Sequence, residues 1–323
     1  MIKNTALARF IRTTAFLLVL IFVLIAASYM LAPKDNTLQS GMNNPNARGF
    51  FSEEKNTIDI SVIGNSDAYS GFSPMELWNN YGYTSYVSAE GRQSVSQSYS
   101  MLKNVLTCQS PKIVMLEADG MFTKENITKT FVNIFYACSG SAFSVFQYHD
   151  RWKSVTPAEM LKKPNYTSHC VSKGQMLSNT VKGYNGGEYM RKTDEVAKIP
   201  ESSIKAFDAF VKLCNNNDIT LILFTLPSQN SWNYRKHNAV QRLADENGID
   251  FIDLNIDREN FGFDWKTDTR DKGNHLNTRG ARKTTLYLGE YLKNNYALTD
   301  RRGDENYKSW DEDYKIYKSK AEI

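Results

Sequence analysis

The chain has four histidines, and one of them, His275, stands beside a run of carboxylates. Residues 264–280 read DWKTDTRDKGNHLNTRG, so His275 follows Asp264, Asp268 and Asp271. A serine nucleophile needs a base to take its proton, and the base needs a carboxylate to fix its tautomer. A candidate serine, Ser66, sits in Gly64-Asn65-Ser66-Asp67, directly after an apolar run. On a turn from strand to helix its oxygen would face solvent, beside helix-start amides able to stabilise an oxyanion. Ser66, His275 and one of the three aspartates together have the makings of acyl transfer. The plainer alternative is a loop serine and a surface histidine capping a turn. His149 and His169 fall in an irregular region. His237 lies on a polar helical stretch (NYRKHN), where a solvated surface position is expected.

Other chemistries find little support. Cys108, Cys138, Cys170 and Cys214 are widely spaced, with no CxxC, and no metal-binding spacing occurs. No metal and no organic cofactor is expected. GNSDAYSG is not GxGxxG and no P-loop is present, so a nucleotide site is not expected either. The cysteines are read as buried small side chains, or as up to two disulfides; Cys138 with Cys170, which flank the least regular region, is the pairing considered.

These side chains must be positioned by the elements around them. The apolar runs 57–63, 83–88, 112–117, 220–226 and 250–254 read as strands. Helical patterns at 73–82, 93–107, 123–136, 202–216, 233–247 and 278–296 alternate with them. The first is framed by Ser73 as N-cap, Pro74 at the first helical position and Gly82 as terminator. Continuous apolar strands alternating with helices imply a parallel sheet covered on both faces: a three-layer α/β/α sandwich of about five strands. In such a sheet reactive groups collect beyond the carboxyl ends of the strands, where Ser66 is placed. Residues 140–200 break the rhythm and read as an insertion over one end of the sheet. In the tail, 297–323, Tyr307, Trp310, Tyr314 and Tyr317 share one helical face, which predicts packing on the body, with a partner-binding surface as the alternative.

Charge divides the chain. It carries 39 Lys and Arg against 35 Asp and Glu. The first 33 residues hold Lys3, Arg9 and Arg12 and no acid. The rest is almost balanced, which excludes the concentrated basic face of a nucleic-acid binder. Residues 13–33 contain no charged side chain, and 16–27 are an unbroken apolar run. Roughly 20 such residues span a bilayer as a helix. The preceding cations place residues 1–12 in the cytoplasm and the body outside. A cleaved signal peptide is the alternative, with Ala26-Ala27-Ser28 as the cleavage candidate; an uncleaved anchor is the preferred reading. Residues 34–55 read as a polar linker that lifts the body off the membrane.

The strand followed by Gly64-Asn65-Ser66, then Gly91, then a late acidic loop ending in His275-Leu276-Asn277 with Gly280, resembles the SGNH (GDSL-like) hydrolase superfamily over residues 56–296. The His-Leu-Asn-x-x-Gly string looks especially like the branch that works beside membrane-bound O-acyltransferases, which includes the alginate acetylation and lipoteichoic acid D-alanylation proteins. The resemblance implies a flavodoxin-like sandwich, with Ser66 as nucleophile and His275 as base. It implies that the amides of Ser66 and Gly91 bind the oxyanion. It further implies an esterase or O-acyltransferase acting on acyl esters of a cell-surface glycopolymer, with a membrane-bound O-acyltransferase as possible partner. A catalytically weak accessory protein that positions such a partner is the alternative. Two positions depart from the family's pattern. The family's Asp stands three residues before the His, where this chain has Lys272; Asp271 stands four before and is taken as the triad acid, with Asp268 as the substitute. The third-block Asn, an oxyanion donor, is absent from Glu117-Ala118-Asp119-Gly120.

Overall fold

The computed structural model describes residues 2–140 and 143–322. The five apolar runs form β1 (Ile60–Gly64), β2 (Ser85–Ala89), β3 (Ile113–Glu117), β4 (Thr220–Thr225) and β5 (Asp250–Asp253). All neighbours pair in parallel, in the order β2-β1-β3-β4-β5. This is the flavodoxin-like order, whose reversal beside β1 opens a crevice at the carboxyl ends of β1 and β3. Every position of β1, β2 and β3 is buried, as a sheet covered by helices on both faces requires. On one face Ile60, Val62, Met115 and Phe224 join Phe72, Leu77 and Leu288. On the other, Ile63, Val114, Leu116 and Leu223 join Leu102, Phe207, Phe210 and Val240.

Local signals account for the helix limits. Ser73 caps the helix Pro74–Tyr81, and Gly82 ends it with φ 69°. Ser94 and Gln97 form a reciprocal capping box at the start of Val95–Val105. Asn277 caps Thr278–Asn295 by accepting from the Gly280 amide.

Residues 34–55 are more firmly tied to the sandwich than the sequence suggested, and the tail packs on it as expected. The stretch 34–55 is not a free spacer. Asn36 and Phe50 are fully buried, Met42 and Ala47 nearly so, and the Tyr86 hydroxyl donates to the Asn46 carbonyl at 2.7 Å. The tail forms the helix Lys308–Ala321. Trp310 packs on Trp78, and the Tyr317 hydroxyl lies 2.8 Å from Ser73 Oγ, so its aromatic face serves packing. In the insertion, whose residues 141 and 142 lie outside the described set, the Lys173 carbonyl accepts from the Val87 amide at 2.9 Å and covers the β2 edge. Cys170 carries a free thiol, so no Cys138–Cys170 disulfide forms; Cys138 Sγ instead lies 3.1 Å from the Tyr99 hydroxyl.

Near the N-terminus, Ile2–Leu31 is one helix. Its portion Thr5–Leu31 is long and apolar enough to cross a membrane.

Candidate active site

β1 ends at Gly64, and the helix Ser66–Gly71 begins two residues later. Asn65 caps that helix, its Oδ1 accepting from the Asp67 amide at 2.8 Å. Gly64 is required by close approach: a Cβ there would lie 2.5 Å from the Cβ of Glu117 on the neighbouring β3. A strand that must release a serine at its tip can thus sit tight against β3 only with glycine at this position.

His275 arrives from the far end of the chain. Thr269 and Leu276 form an isolated antiparallel bridge, and the Arg270 amide donates to the His275 carbonyl at 3.1 Å. Between them the chain turns through two residues with positive φ, Lys272 at 66° and Gly273 at 86°. This turn brings His275 back beside Asp271, four residues earlier. Leu276 is buried and pins the loop. Asn277 caps the next helix while donating to the Thr267 carbonyl at 2.8 Å. At Gly280 a Cβ would lie 2.3 Å from the Asp268 carbonyl oxygen. The His-Leu-Asn-x-x-Gly string is therefore one device: a reactive ring, an apolar pin, a cap and a close approach. The insertion props it from outside, because Lys182 exchanges hydrogen bonds with Thr269 and accepts from the Lys272 amide.

Ser66 Oγ lies 2.9 Å from His275 Nε2, and His275 Nδ1 lies 2.6 Å from Asp271 Oδ2. The other oxygen of Asp271 accepts from the His275 amide at 2.7 Å. Burial alone would raise the Asp271 carboxyl, but the hydrogen bonds from the His275 ring and amide outweigh it and hold it below its ordinary range. Nδ1 is thereby the protonated nitrogen that the geometry favours, leaving Nε2 to accept from the serine hydroxyl. Asp268 takes no part in this chain. Its fully buried carboxylate pairs with Lys283 at 2.7 Å and Arg279 at 3.3 Å, and accepts from the Asp264 amide. Asp264 Oδ1 accepts from the Lys266 amide at 2.9 Å. The other histidines are engaged elsewhere. His237 is not a solvated surface group: its Nδ1 lies 2.8 Å from Asp253 Oδ2 and its ring packs near Phe251.

Ser66 and His275 open onto a cavity of about 440 Å³ shared with Asn65, Asp67, Arg92, Asp119, Thr123, Ser231 and Asn274. Gly91 borders a neighbouring cavity with Tyr69 and Glu90. Its place follows from register: Ala89 pairs with Gly64, so Gly91 stands two residues past β2 as Ser66 stands two past β1. The backbone N–H groups of Ser66 and Gly91 are not spent on other partners among the described residues.

Several groups here escaped the sequence reading. Arg92 has φ 56° and an exposed side chain with no ion pair among the described residues. Asp67, Asp119 and Glu117 form a carboxylate group behind the serine. Asp119 is held by Lys236 at 2.7 Å and by Asn65 Nδ2 at 3.2 Å. Burial, then the neighbouring Asp119, pushes the Asp67 carboxyl up to about 7, against a hydrogen bond from Ser231. Burial, again with Asp119, pushes Glu117 well above its ordinary range. The available signal was position: Glu117 and Asp119 end β3 at the crevice, where functional groups collect. Among the described residues no group of three or more His, Cys, Asp or Glu side chains is arranged to hold a metal ion.

No protein-family model matches the chain, and no curated protein matches it. Solved structures of similar shape include a protein from Desulfitobacterium hafniense described as lipolytic and of the G-D-S-L family. It is 15% identical, the match covers 73% of this chain and 100% of that one, and the TM-score is 0.41. A GDSL-like lipase from Bacteroides thetaiotaomicron is 12% identical over 73% of this chain and 87% of that one, with a TM-score of 0.36. Likeness of this degree assigns no role to any residue.

Proposed function

We propose that this chain is a membrane-anchored serine esterase or O-acyltransferase of SGNH type, acting outside the cell on acyl esters of a surface glycopolymer. In this reading residues 1–12 are cytoplasmic, 13–33 cross the membrane and 56–296 are the catalytic body. The observation that carries it is the unbroken Ser66–His275–Asp271 hydrogen-bond chain, at 2.9 and 2.6 Å, across more than 200 residues of sequence.

The reaction follows from that chain. His275 Nε2 takes the Ser66 proton as Oγ attacks the ester carbonyl. The amides of Ser66 and Gly91 hold the oxyanion of the tetrahedral intermediate. Collapse breaks the ester C–O bond, and His275 returns the proton to the leaving alcohol. Water or a sugar hydroxyl, deprotonated by His275, then attacks the acyl-serine and restores Ser66. Asp271 steadies the imidazolium in both halves. A membrane-bound O-acyltransferase would supply or receive the acyl group in the transfer version.

Asp119 gives weight to a second reading, an accessory protein of the same fold that positions such a partner. Where the family offers an Asn donor, this chain has a carboxylate near the cavity, and anionic groups disfavour an oxyanion. A fluorophosphonate probe on the full-length protein separates the two. Labelling that is lost in both Ser66→Ala and His275→Ala supports catalysis. No labelling of the wild type, with an unchanged polymer phenotype in Ser66→Ala cells, sinks the enzyme reading.

A further inference from the structure

The helix Ile127–Gly140 has no acidic residue, and it is apolar on both sides. Ile134 and Ala137 pack on the core. On the outer side Phe131 and Phe135 are 55% and 59% exposed, and Val132 and Tyr136 are 39% and 38% exposed. These are two parallel rows at i, i+4 spacing. The segment that follows adds Trp152 at 66% and Leu161 at 77%. Exposed apolar side chains gathered in this number mark a contact site.

What covers it is indicated by its neighbour. The same segment is bonded to the last turn of the N-terminal apolar helix. Ser144 Oγ donates to the Ser28 carbonyl and the Val145 amide to Ser28 Oγ, both at 3.1 Å. Arg151 donates to the Leu31 carbonyl at 2.6 Å. The Tyr29 hydroxyl donates to the Lys162 carbonyl at 3.0 Å. Phe146, one turn from these bonds, brings its ring within 6.2 Å of Phe135. The exposed face thus adjoins the point where the apolar helix meets the body. Its charges suit a lipid headgroup region. Asp150 and Glu159 are neutralised by Lys153 and Arg151, while Lys129, Lys162 and Lys163 carry no ion pair among the described residues. Trp and Tyr with flanking Lys is the composition of a membrane–water interface.

We propose that the face formed by Phe131, Val132, Phe135, Tyr136, Trp152 and Leu161 lies in the outer leaflet of the bilayer that residues 13–33 cross. The body then rests on the membrane at a fixed tilt rather than swinging from its anchor. This rests on the reading of residues 13–33 as an uncleaved span.

The test uses the full-length protein in phosphatidylcholine–phosphatidylglycerol vesicles. A fluorescent amino acid replaces, one at a time, Phe22, Phe131, Trp152 and Ile316, all exposed side chains. Nitroxide-labelled phospholipid is the quencher. Quenching at 22, 131 and 152 by more than about half, with none at 316, is the expected result for an interfacial face. Quenching at 22 without quenching at 131 and 152 overturns the proposal and leaves the anchor standing. No quenching at 22 overturns the anchor reading, and the leaflet contact falls with it. A blue shift at 131 in native membranes, with no quenching there in pure vesicles, assigns the face to a protein partner and also overturns the proposal.

Discussion

At the scale of single residues the chemistry reduces to which atoms can exchange a proton. Ser66 and His275 could be singled out from type and order, because nucleophile and base each fell on a loop, whereas the acid stayed open among Asp264, Asp268 and Asp271 until the resemblance favoured Asp271. Asp268 is placed otherwise: Lys283 and Arg279 claim its carboxylate. The two aspartates should therefore separate in mutants. Asp271→Asn is expected to lower kcat/KM by on the order of 100-fold or more while the fold persists, since only the imidazole loses its partner. Asp268→Asn should lower melting temperature more than turnover, because it removes the fully buried carboxylate that pairs with the half-buried Lys283 and with Arg279. Thermal melts and ester hydrolysis rates measured side by side check both. Asp67 was invisible to the sequence reading, because its perturbation comes from burial and from Asp119, 52 positions away in the chain. Its carboxyl is raised from 3.8 to about 7, so the folded state holds a proton that the unfolded state releases earlier. Stability is then present below the unfolded value and is lost as pH rises through the folded one. Asp67→Asn should flatten that decline and raise the melting temperature at alkaline pH relative to wild type. An unchanged slope between the two proteins would refute it, although Glu117, raised in the same direction, keeps some slope in both.

At the scale of elements, all five strands were legible, to within a few residues at their ends, from apolar runs; the six longer body helices followed from periodicity and caps. The short helix Ser66–Gly71 was not, since six residues give too few turns for periodicity to register. Nor was the shape of the His275 loop. Only the backbone shows how the loop closes: Lys272 and Gly273 both adopt positive φ and return His275 to Asp271. Gly273 bears this hardest. Its φ is 86°, and a Cβ would lie 2.8 Å from Gln229 Cγ and 2.9 Å from Tyr184 Cβ. Gly273→Ala is expected to cost roughly 1 kcal/mol or more in backbone strain. It should also open the Asp271–His275 bond, so acyl-serine formation with an activated ester slows by more than the stability loss explains. A variant with wild-type rate would show that the loop tolerates another turn.

At the scale of the whole molecule, the sequence separated an apolar N-terminal helix, a polar segment, a body and a tail; it foresaw the packing of the tail on the body but not that of residues 34–55. Linker and tail are held to the insertion by one buried cluster that no local pattern could reveal, since its members lie at positions 53, 169, 173 and 313. Lys173, with no exposed surface, reaches Glu53 and Asp313 at 2.7 Å each and lies 4.7 Å from the centre of the Trp310 ring. His169 adds a contact to Asp313 at 2.8 Å. An ion cluster of this kind contributes little net stability against an apolar replacement, but removing one member strands the others without compensation. Lys173→Met should therefore destabilise the protein by about 3 kcal/mol, leaving Glu53 and Asp313 without their buried cation and beside only the part-exposed His169. Combining Lys173→Met with Glu53→Gln and Asp313→Asn removes both stranded charges and should recover much of the loss. Because the cluster ties residues 34–55 and 308–321 to the body, the single variant should also expose both segments to protease before the sheet unfolds. Denaturant melts of the single and triple variants, with limited proteolysis followed by mass spectrometry, measure this directly. Equal stability of the two would mean that the cluster acts through packing on Trp310 rather than through charge.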